Sequence, residues 1–268
     1  MKAPALLILP LILFLGLSYL VPFLGIMQLS IAGPEPLSQY HTVVTDPLIL
    51  GVFWRTLRIC AEVTLISVSA AYVMTYLWVR STPLVSALVE LCIMIPFWIS
   101  VLTRAFGWLA TLSNRGVINS WLKDWGLIST SLPLVRNEFG VVVGMAHYLI
   151  PFAVFPLATA MRNVDERVLM AAEGMGASRL RIFWQVFLPM TRSGIIGALL
   201  LVFVFSIGFY ITPAVLGGGR SVMIAELIYL RIFQAPDWGL AAAISVVLML
   251  LVGGLLVALM RRYGKLAK

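Results

Sequence analysis

The chain has 268 residues, of which 61% are apolar and 11% are charged, and its mean hydropathy is +1.02. A soluble protein of this length cannot bury so much apolar surface, which excludes a water-soluble enzyme, a disordered chain and a nucleic-acid-binding protein. The composition therefore predicts a polytopic protein in a lipid bilayer. In such a protein the net charge of +8 indicates orientation rather than an anionic partner.

Six apolar stretches are long enough, at about 20 residues each, to cross about 30 Å of hydrocarbon as helices. In chain order they cover residues 5–32, 59–79, 84–112, 139–161, 193–216 and 239–260. They predict an all-α fold with six transmembrane helices in a single transmembrane domain over residues 1–268. The alternative for the first stretch, a cleaved signal peptide, is disfavoured because that apolar run exceeds the usual length of about 7–15 residues.

Basic residues in short loops stay on the cytoplasmic side, so their distribution predicts orientation. If the N-terminus is inside, 11 Lys and Arg residues fall on the inner side and 7 on the outer side. The inner set is Lys2, Arg80, Arg162, Arg167, Arg179, Arg181, Arg192, Arg261, Arg262, Lys265 and Lys268. Both termini are therefore predicted to be cytoplasmic.

Several of the stretches contain residues that bend membrane helices. Pro96 lies inside the third stretch, Pro151 and Pro156 lie inside the fourth, and the fifth contains the segment 208–213, which starts with Gly and ends with Pro. These residues predict either hinges or static kinks that only shape the packing.

Ionisable residues at membrane depth are costly and are often functional. Glu62 follows Arg58 by four residues, so a local ion pair is expected. Glu90 lies about 9 Å inside the third stretch, where a structural partner and a transport role are equally open. Arg104 is expected near the outer interface, where its side chain reaches water easily. His147 is expected to be a hydrogen-bonded bundle residue.

The segment 162–192 between the fourth and fifth stretches is patterned as two short helices. Asn163 and Glu166 have the spacing of a capping box, and Gly176 supplies a C-terminal stop. A second amphipathic helix follows over 178–187 and is predicted to end at Leu188-Pro189. Such a pair either receives a soluble partner or lies on the membrane surface without one.

Ala171-Ala172, Gly176 and, after a nine-residue gap, Val186-Phe187-Leu188-Pro189 resemble the cytoplasmic signature of ABC-importer permeases. One departure is that Met170 occupies the position of the signature's Glu, with Glu173 three residues later. The resemblance implies a coupling segment that docks in a groove of an ATPase subunit. The residues it assigns to coupling are Met170, Ala171, Ala172, Glu173, Gly176, Ala177, Ser178, Leu188 and Pro189.

Further segments are similar to permeases of spermidine/putrescine importers, the PotB type. They are Ile95-Pro96-Phe97-Trp98 with Asn114-Arg115-Gly116, Thr212-Pro213-Ala214 with Leu216-Gly217-Gly218, and Asp237-Trp238-Gly239. The resemblance implies a transmembrane subunit of a type I ABC importer, in the bacterial inner membrane, that moves a small polar solute such as a polyamine. Importers of opines or amino acids, phosphonates, thiamine and iron share much of this pattern, so those solutes stay open.

The implied partners are a second permease subunit, two copies of an ATPase subunit and a soluble periplasmic or lipid-anchored substrate-binding protein. The chain has no G-x-x-x-x-G-K-[ST] loop, so ATP and Mg are expected on the ATPase subunit. No catalytic residue, metal site or cofactor is expected in this chain. A self-sufficient secondary transporter is the rival interpretation, but no inverted repeat is visible.

Aromatic ring faces can replace part of the hydration of a permeating amine. Together with the resemblance, this property predicts a substrate pathway lined by Glu90, Phe97, Trp98, Arg104 and Tyr210. The alternative for the aromatic residues is packing or an interfacial belt.

Overall fold

The computed structural model describes residues 3–32, 35 and 37–264, and within these ranges the regular secondary structure is helical. Lys2, Lys265 and Lys268, which contribute to the predicted orientation, lie outside the described residues. The helices are α1 (Ala3–Ser30), α2 (Ser38–Thr45), α3 (Pro47–Arg80), α4 (Pro83–Trp98), α5 (Val101–Leu112), α6 (Val117–Asp124), α7 (Glu138–Arg162), α8 (Glu166–Gly174), α9 (Arg179–Ile182), a π-helical turn (Phe183–Phe187), α10 (Leu188–Met190), α11 (Arg192–Ile207), α12 (Ile211–Leu216), α13 (Ile224–Phe233) and α14 (Trp238–Gly264).

Four of the described helices are long and apolar enough to cross a membrane unaided, namely most of α1, α3, α7 and most of α14. Two bent pairs can each supply one more span: α4 with Val101–Asp124, at an angle of 105°, and Arg179–Met190 with α11, at 62°. The predicted all-α membrane fold is confirmed. Six spans is the larger of the two counts that these helices allow.

Helix α3 begins at Pro47, well before the predicted start at residue 59. The Asp46 carboxylate accepts a hydrogen bond from the Leu48 N–H at 2.8 Å, and proline is favourable in the first turn because its missing N–H would be unpaired there. The charges of Arg55 and Arg58 interrupt the apolar run, so the sequence placed these residues in a loop. In the structure both residues are helical, and their side chains form ion pairs with Glu138.

The third predicted span is a broken helix rather than a single kinked one. Helix α4 ends at Trp98, Ile99 is extended with φ −78° and ψ 132°, and α5 begins at Val101. Pro96 cannot donate to the helical ladder and lies in the last turn before the break. The fifth predicted span is also divided, because α11 ends at Ile207 and α12 is a separate short helix.

The helices form two compact units by their internal contacts, one of residues 1–53 and 227–268 and one of residues 54–226. In the first unit α14 packs on α1 and α2, and Ser30 Oγ lies 2.6 Å from the Tyr40 hydroxyl. In the second unit α7 is central and packs on α4, α5, α11 and α12. Leu149, Val154 and Leu157 of α7 are fully buried. That residues 1–268 form one domain stays a prediction.

Candidate coupling segment and substrate pathway

The first helix of the coupling segment, α8, starts one residue after Asp165. The Asp165 side chain accepts from the Arg167 N–H at 2.9 Å, whereas Asn163 has helical backbone angles and closes α7. The predicted capping box of Asn163 and Glu166 is therefore wrong, because α7 continues up to the residue that was expected to cap the next helix.

The end of α8 is a Schellman motif centred on Gly176. The Gly176 N–H donates to the Glu173 carbonyl at 2.9 Å, and the Ala177 N–H donates to the Ala172 carbonyl at 3.2 Å. Gly176 has φ +81°, a left-handed conformation that glycine adopts without steric cost. The stop predicted at Gly176 is confirmed.

The second helix of the segment starts at Arg179 and is capped by Ser178, whose Oγ accepts from the Arg181 N–H at 3.4 Å. The prediction that Leu188-Pro189 ends this helix is wrong. The Leu188 N–H donates to the Phe183 carbonyl in the π-helical turn, and Pro189 lies in the first turn of α10. The wider turn accommodates a residue that has no N–H, so the chain stays helical to Met190.

The segment presents an apolar outer surface. Of the residues that the signature assigns to coupling, Ala172 is buried, Ala177 and Leu188 are half-buried, and the others are exposed. Sequence analysis missed three further exposed apolar residues of this surface, which are Met175, Leu180 and Trp184. Several large apolar side chains exposed along one short segment are typical of a protein interaction site.

A row of aromatic rings runs along α7 and reaches the break between α4 and α5. Tyr148 stacks on Phe152 with ring centroids 5.5 Å apart, and Phe152 contacts Phe97 at 5.4 Å and Phe205 at 5.2 Å. Phe209 contacts Tyr148 at 4.9 Å. Sequence analysis found only Phe97 of this row. The signal it missed is that Tyr148 and Phe152 lie four residues apart on one face of α7.

Arg104 lies at the same break, and its Cζ is 4.6 Å from the centroid of the Tyr148 ring. Its guanidinium donates to the carbonyls of Pro96 and, at 2.8 Å, Ile99. The expectation that the Arg104 side chain reaches water easily is wrong, because the chain turns by 105° here and the residue is only 7% exposed. Its position near the outer interface stays a prediction. Within the described part of the chain its Nε and Nη1 have no hydrogen-bond partner.

The other predicted pathway residues lie differently. Trp98 is 83% exposed and contacts Phe97 edge to face at 5.9 Å. Glu90 is exposed and accepts from Trp78 Nε1 at 3.4 Å. Tyr210 is 38% exposed at the start of α12. The structure thus brings Phe97 and Arg104 into one aromatic cluster, and it gives Glu90 a separate indole neighbour.

Two local expectations are confirmed. Arg58 Nε lies 3.9 Å from Glu62 Oε1, although the same guanidinium also bonds Glu138 of α7. His147 is hydrogen-bonded, since its Nδ1 accepts from Trp108 Nε1 at 3.2 Å.

Glu226 is a buried acid that sequence analysis did not single out. It lies in α13, outside the candidate spans, is 7% exposed, and has one carboxylate oxygen without a hydrogen-bond partner among the described residues. Burial raises the pKa of Glu226, and a hydrogen bond from the Met223 backbone partly opposes that rise. Glu226 lies between two apolar stretches of the sequence, where an acidic residue is expected in an exposed loop, so its burial was not predictable.

Similar curated proteins are transport permeases. The spermidine/putrescine transport system permease protein PotB of Haemophilus influenzae is 29% identical over 226 residues, which cover 84% of this chain and 79% of that protein. PotB of Escherichia coli is 29% identical over 221 residues, covering 82% and 80%. The E. coli inner membrane ABC transporter permease protein YdcU is 26% identical over 231 residues, covering 82% and 73%.

The fold is similar to that of a solved importer. A chain in the crystal structure of a bacterial ABC transporter involved in the import of the acidic polysaccharide alginate superposes with a TM-score of 0.76 at 18% identity, covering 97% of this chain and 95% of that chain. The family model for the binding-protein-dependent transport system inner membrane component matches residues 3–264. The chain belongs to that family and is a permease subunit of an ABC importer.

Proposed function

We propose that this permease carries polyamines into the cell. The observation that carries the proposal is the similarity to PotB proteins over more than four-fifths of the chain, and the aromatic row along α7 agrees with it. Ring faces attract ammonium groups without holding them tightly, which suits a pathway that a cation must leave again.

We infer that ATP is hydrolysed, with Mg, on a separate ATPase subunit. The chain has no phosphate-binding loop, and its coupling segment exposes an apolar surface that includes Met170 and Met175. The residues proposed to transmit closure of that subunit to the membrane helices are Met170, Ala171, Ala172, Glu173, Gly176, Ala177, Ser178, Leu188 and Pro189.

The complete importer is proposed to contain a second permease, two ATPase copies and a soluble periplasmic or lipid-anchored substrate-binding protein. Both termini of this chain are placed in the cytoplasm on the basic asymmetry of the loops. Glu90, Phe97, Trp98, Arg104 and Tyr210 stay the proposed pathway residues, to which the structure adds Tyr148 and Phe152 as candidates.

A second candidate substrate class is a carboxylate or phosphonate, and Arg104 is the observation that favours it. A buried guanidinium with two nitrogens free of partners in the described chain can bind an anion. We rank this class below polyamines because Arg104 already donates to two carbonyls and stacks on Tyr148.

Replacement of Trp98 by alanine in the complete complex tests the polyamine proposal. If a cation–π contact of about 0.5 to 2 kcal/mol is lost from the rate-limiting state, putrescine uptake into proteoliposomes slows by about two- to thirtyfold. Basal ATP hydrolysis stays unchanged. Trp121→Ala is the matched control, because Trp121 is an exposed tryptophan of α6, outside the proposed pathway, and its replacement leaves uptake unchanged.

Saturable uptake of an anion, with putrescine and spermidine neither carried nor competing, would overturn the polyamine proposal. The family assignment would stand in that case.

A further inference from the structure

The last turns of α3 contact the coupling segment along one helical face. Tyr72, Tyr76 and Arg80 follow one another at four-residue spacing, so their side chains lie on the same side of α3. The Tyr72 hydroxyl lies 3.0 Å from Thr191 Oγ1, just before α11. This face therefore meets the chain where the coupling segment joins the next membrane helix.

Aromatic contacts continue toward Arg80. The Tyr76 ring meets Phe183 edge to face at 5.8 Å and Phe187 at 5.3 Å. Phe187 is buried in a small apolar cluster with Met161 and Val164, at the end of α7. The π-helical turn is thus packed between α3 and α7.

Arg80 contacts both helices of the coupling segment at once. Its Nη1 donates to Glu166 Oε1 at 3.1 Å, and Glu166 is the first residue of α8. Its Cζ lies 5.2 Å from the centroid of the Phe187 ring, at the end of the π-helical turn. We call Arg80, Glu166 and Phe187 the Arg80 clamp.

The burial of Arg80 indicates that the clamp is more than a surface ion pair. The Arg80 side chain is 19% exposed, and its buried Nε has no hydrogen-bond partner in the described part of the chain. Glu166 is 77% exposed, so the ion pair alone contributes little to stability. A guanidinium that leaves one donor unpaired while it lies against Phe187 is held mainly by packing. Arg80 contacts α8 through Glu166 and the π-helical turn through Phe187, and Tyr76 of α3 packs on that same turn.

We propose that Arg80 is a positioning residue for coupling, and that the clamp makes the coupling segment and the end of α3 move as one body. The inference rests on the proposed docking of that segment on an ATPase subunit. When the ATPase displaces α8, the clamp carries α9 and α3 with it. Without the clamp α8 moves relative to α3, and ATP is hydrolysed without moving the permease.

The test is a double-mutant cycle in the complete complex, reconstituted with its ATPase and binding protein. Arg80→Gln and Glu166→Gln each lower the number of putrescine molecules taken up per ATP hydrolysed, Arg80→Gln by about fivefold or more. Basal ATP hydrolysis and the amount of copurified ATPase stay at the unmodified level. The double variant is no worse than Arg80→Gln alone, because both changes break the same contact.

Two more variants separate positioning from simple destabilisation. Arg80→Lys keeps a cation over Phe187 and restores most of the coupling. Glu62→Gln, the matched control, removes the acid of an Arg–Glu pair nearer the other end of α3 and leaves uptake per ATP unchanged.

Unchanged uptake per ATP in both Arg80→Gln and Glu166→Gln would overturn the clamp. If the complex with Arg80→Gln fails to assemble, the Glu166→Gln variant alone tests the clamp, because Glu166 is exposed. Unchanged uptake per ATP in that variant would then overturn the clamp. If the unmodified complex does not carry putrescine, the polyamine proposal fails separately, and stimulation of ATP hydrolysis by the loaded binding protein replaces uptake as the readout.

Discussion

At the scale of single residues, Gly176 is the one whose backbone conformation matters most for the proposed coupling function. A Cβ at this position would meet no atom within 4 Å, so space does not select glycine there. Its φ of +81° does, because a side chain in the left-handed region costs about 1–2 kcal/mol, and a β-branched one costs more.

Gly176→Val is expected to displace the turn between α8 and α9 and to reduce substrate-stimulated ATP hydrolysis severely, while assembly in the membrane survives. ATP hydrolysis by the reconstituted complex, with and without loaded binding protein, measures the effect. The control is Gly174→Ala, since Gly174 is helical and also has open space around it. Equal stimulation in both variants would show that the turn geometry does not matter for coupling.

Single residues also show where sequence reasoning stops. Gly176 and the Arg58–Glu62 pair were predictable because their partners lie within four residues along the chain. Arg104 was not, because its environment depends on the direction that the chain takes after Trp98, and neither hydropathy nor Pro96 specifies that angle. Tyr148 was assigned to the site from its contacts with Arg104, Phe152 and Phe209, which lie far from it in sequence or were not singled out there.

At the scale of helices, α7 and α11 of the second unit approach each other closely. A Cβ added to Gly194 of α11 would lie 2.4 Å from Ala160 Cβ and 2.8 Å from the Pro156 carbonyl oxygen, both on α7. Small residues at such contacts let the helix backbones approach in a membrane, where packing rather than the hydrophobic effect holds helices together.

Gly194→Ala is therefore expected to destabilise the permease by about 1–3 kcal/mol through overpacking. Gly197→Ala, one turn later, places its Cβ at an ordinary 3.5 Å from Pro156 and gains about 0.5–1 kcal/mol from helix propensity. Thermal unfolding of the two detergent-solubilised variants should thus shift the midpoint in opposite directions. A neutral Gly194→Ala would mean that α7 and α11 pack less closely than described.

The apolar spans were predictable in place better than in their ends, and the division of two of them into separate helices was not predicted. Apolar length predicted all the long helices, but α3 extends twelve positions earlier than its apolar run, because its polar turns are stabilised by Asp46 and by Glu138 of another helix. The π-helical turn was not predictable, since a proline that usually ends a helix is accommodated by a local change in hydrogen bonding.

For the whole molecule, orientation in the membrane is the property on which the proposed partners depend. The coupling segment can meet an ATPase only if it is cytoplasmic, and the binding protein can deliver solute only to the opposite side. The argument for that arrangement is that more Lys and Arg residues lie in the predicted inner loops than in the predicted outer loops. It can be tested by labelling one residue on each side of the membrane.

Two exposed serines allow a direct measurement of orientation. Ser178 lies between α8 and α9, and Ser129 lies between α6 and α7. In a background lacking Cys60 and Cys92, Ser178→Cys is expected to react with an impermeant thiol reagent only from the cytoplasmic side, and Ser129→Cys only from the outer side. Cysteine is close to serine in size, and Ser178→Cys weakens only the hydrogen bond that Ser178 Oγ accepts from the Arg181 N–H, which does not change the side of the membrane that is labelled. The opposite labelling pattern would reverse the topology and place the coupling segment out of reach of a cytoplasmic ATPase.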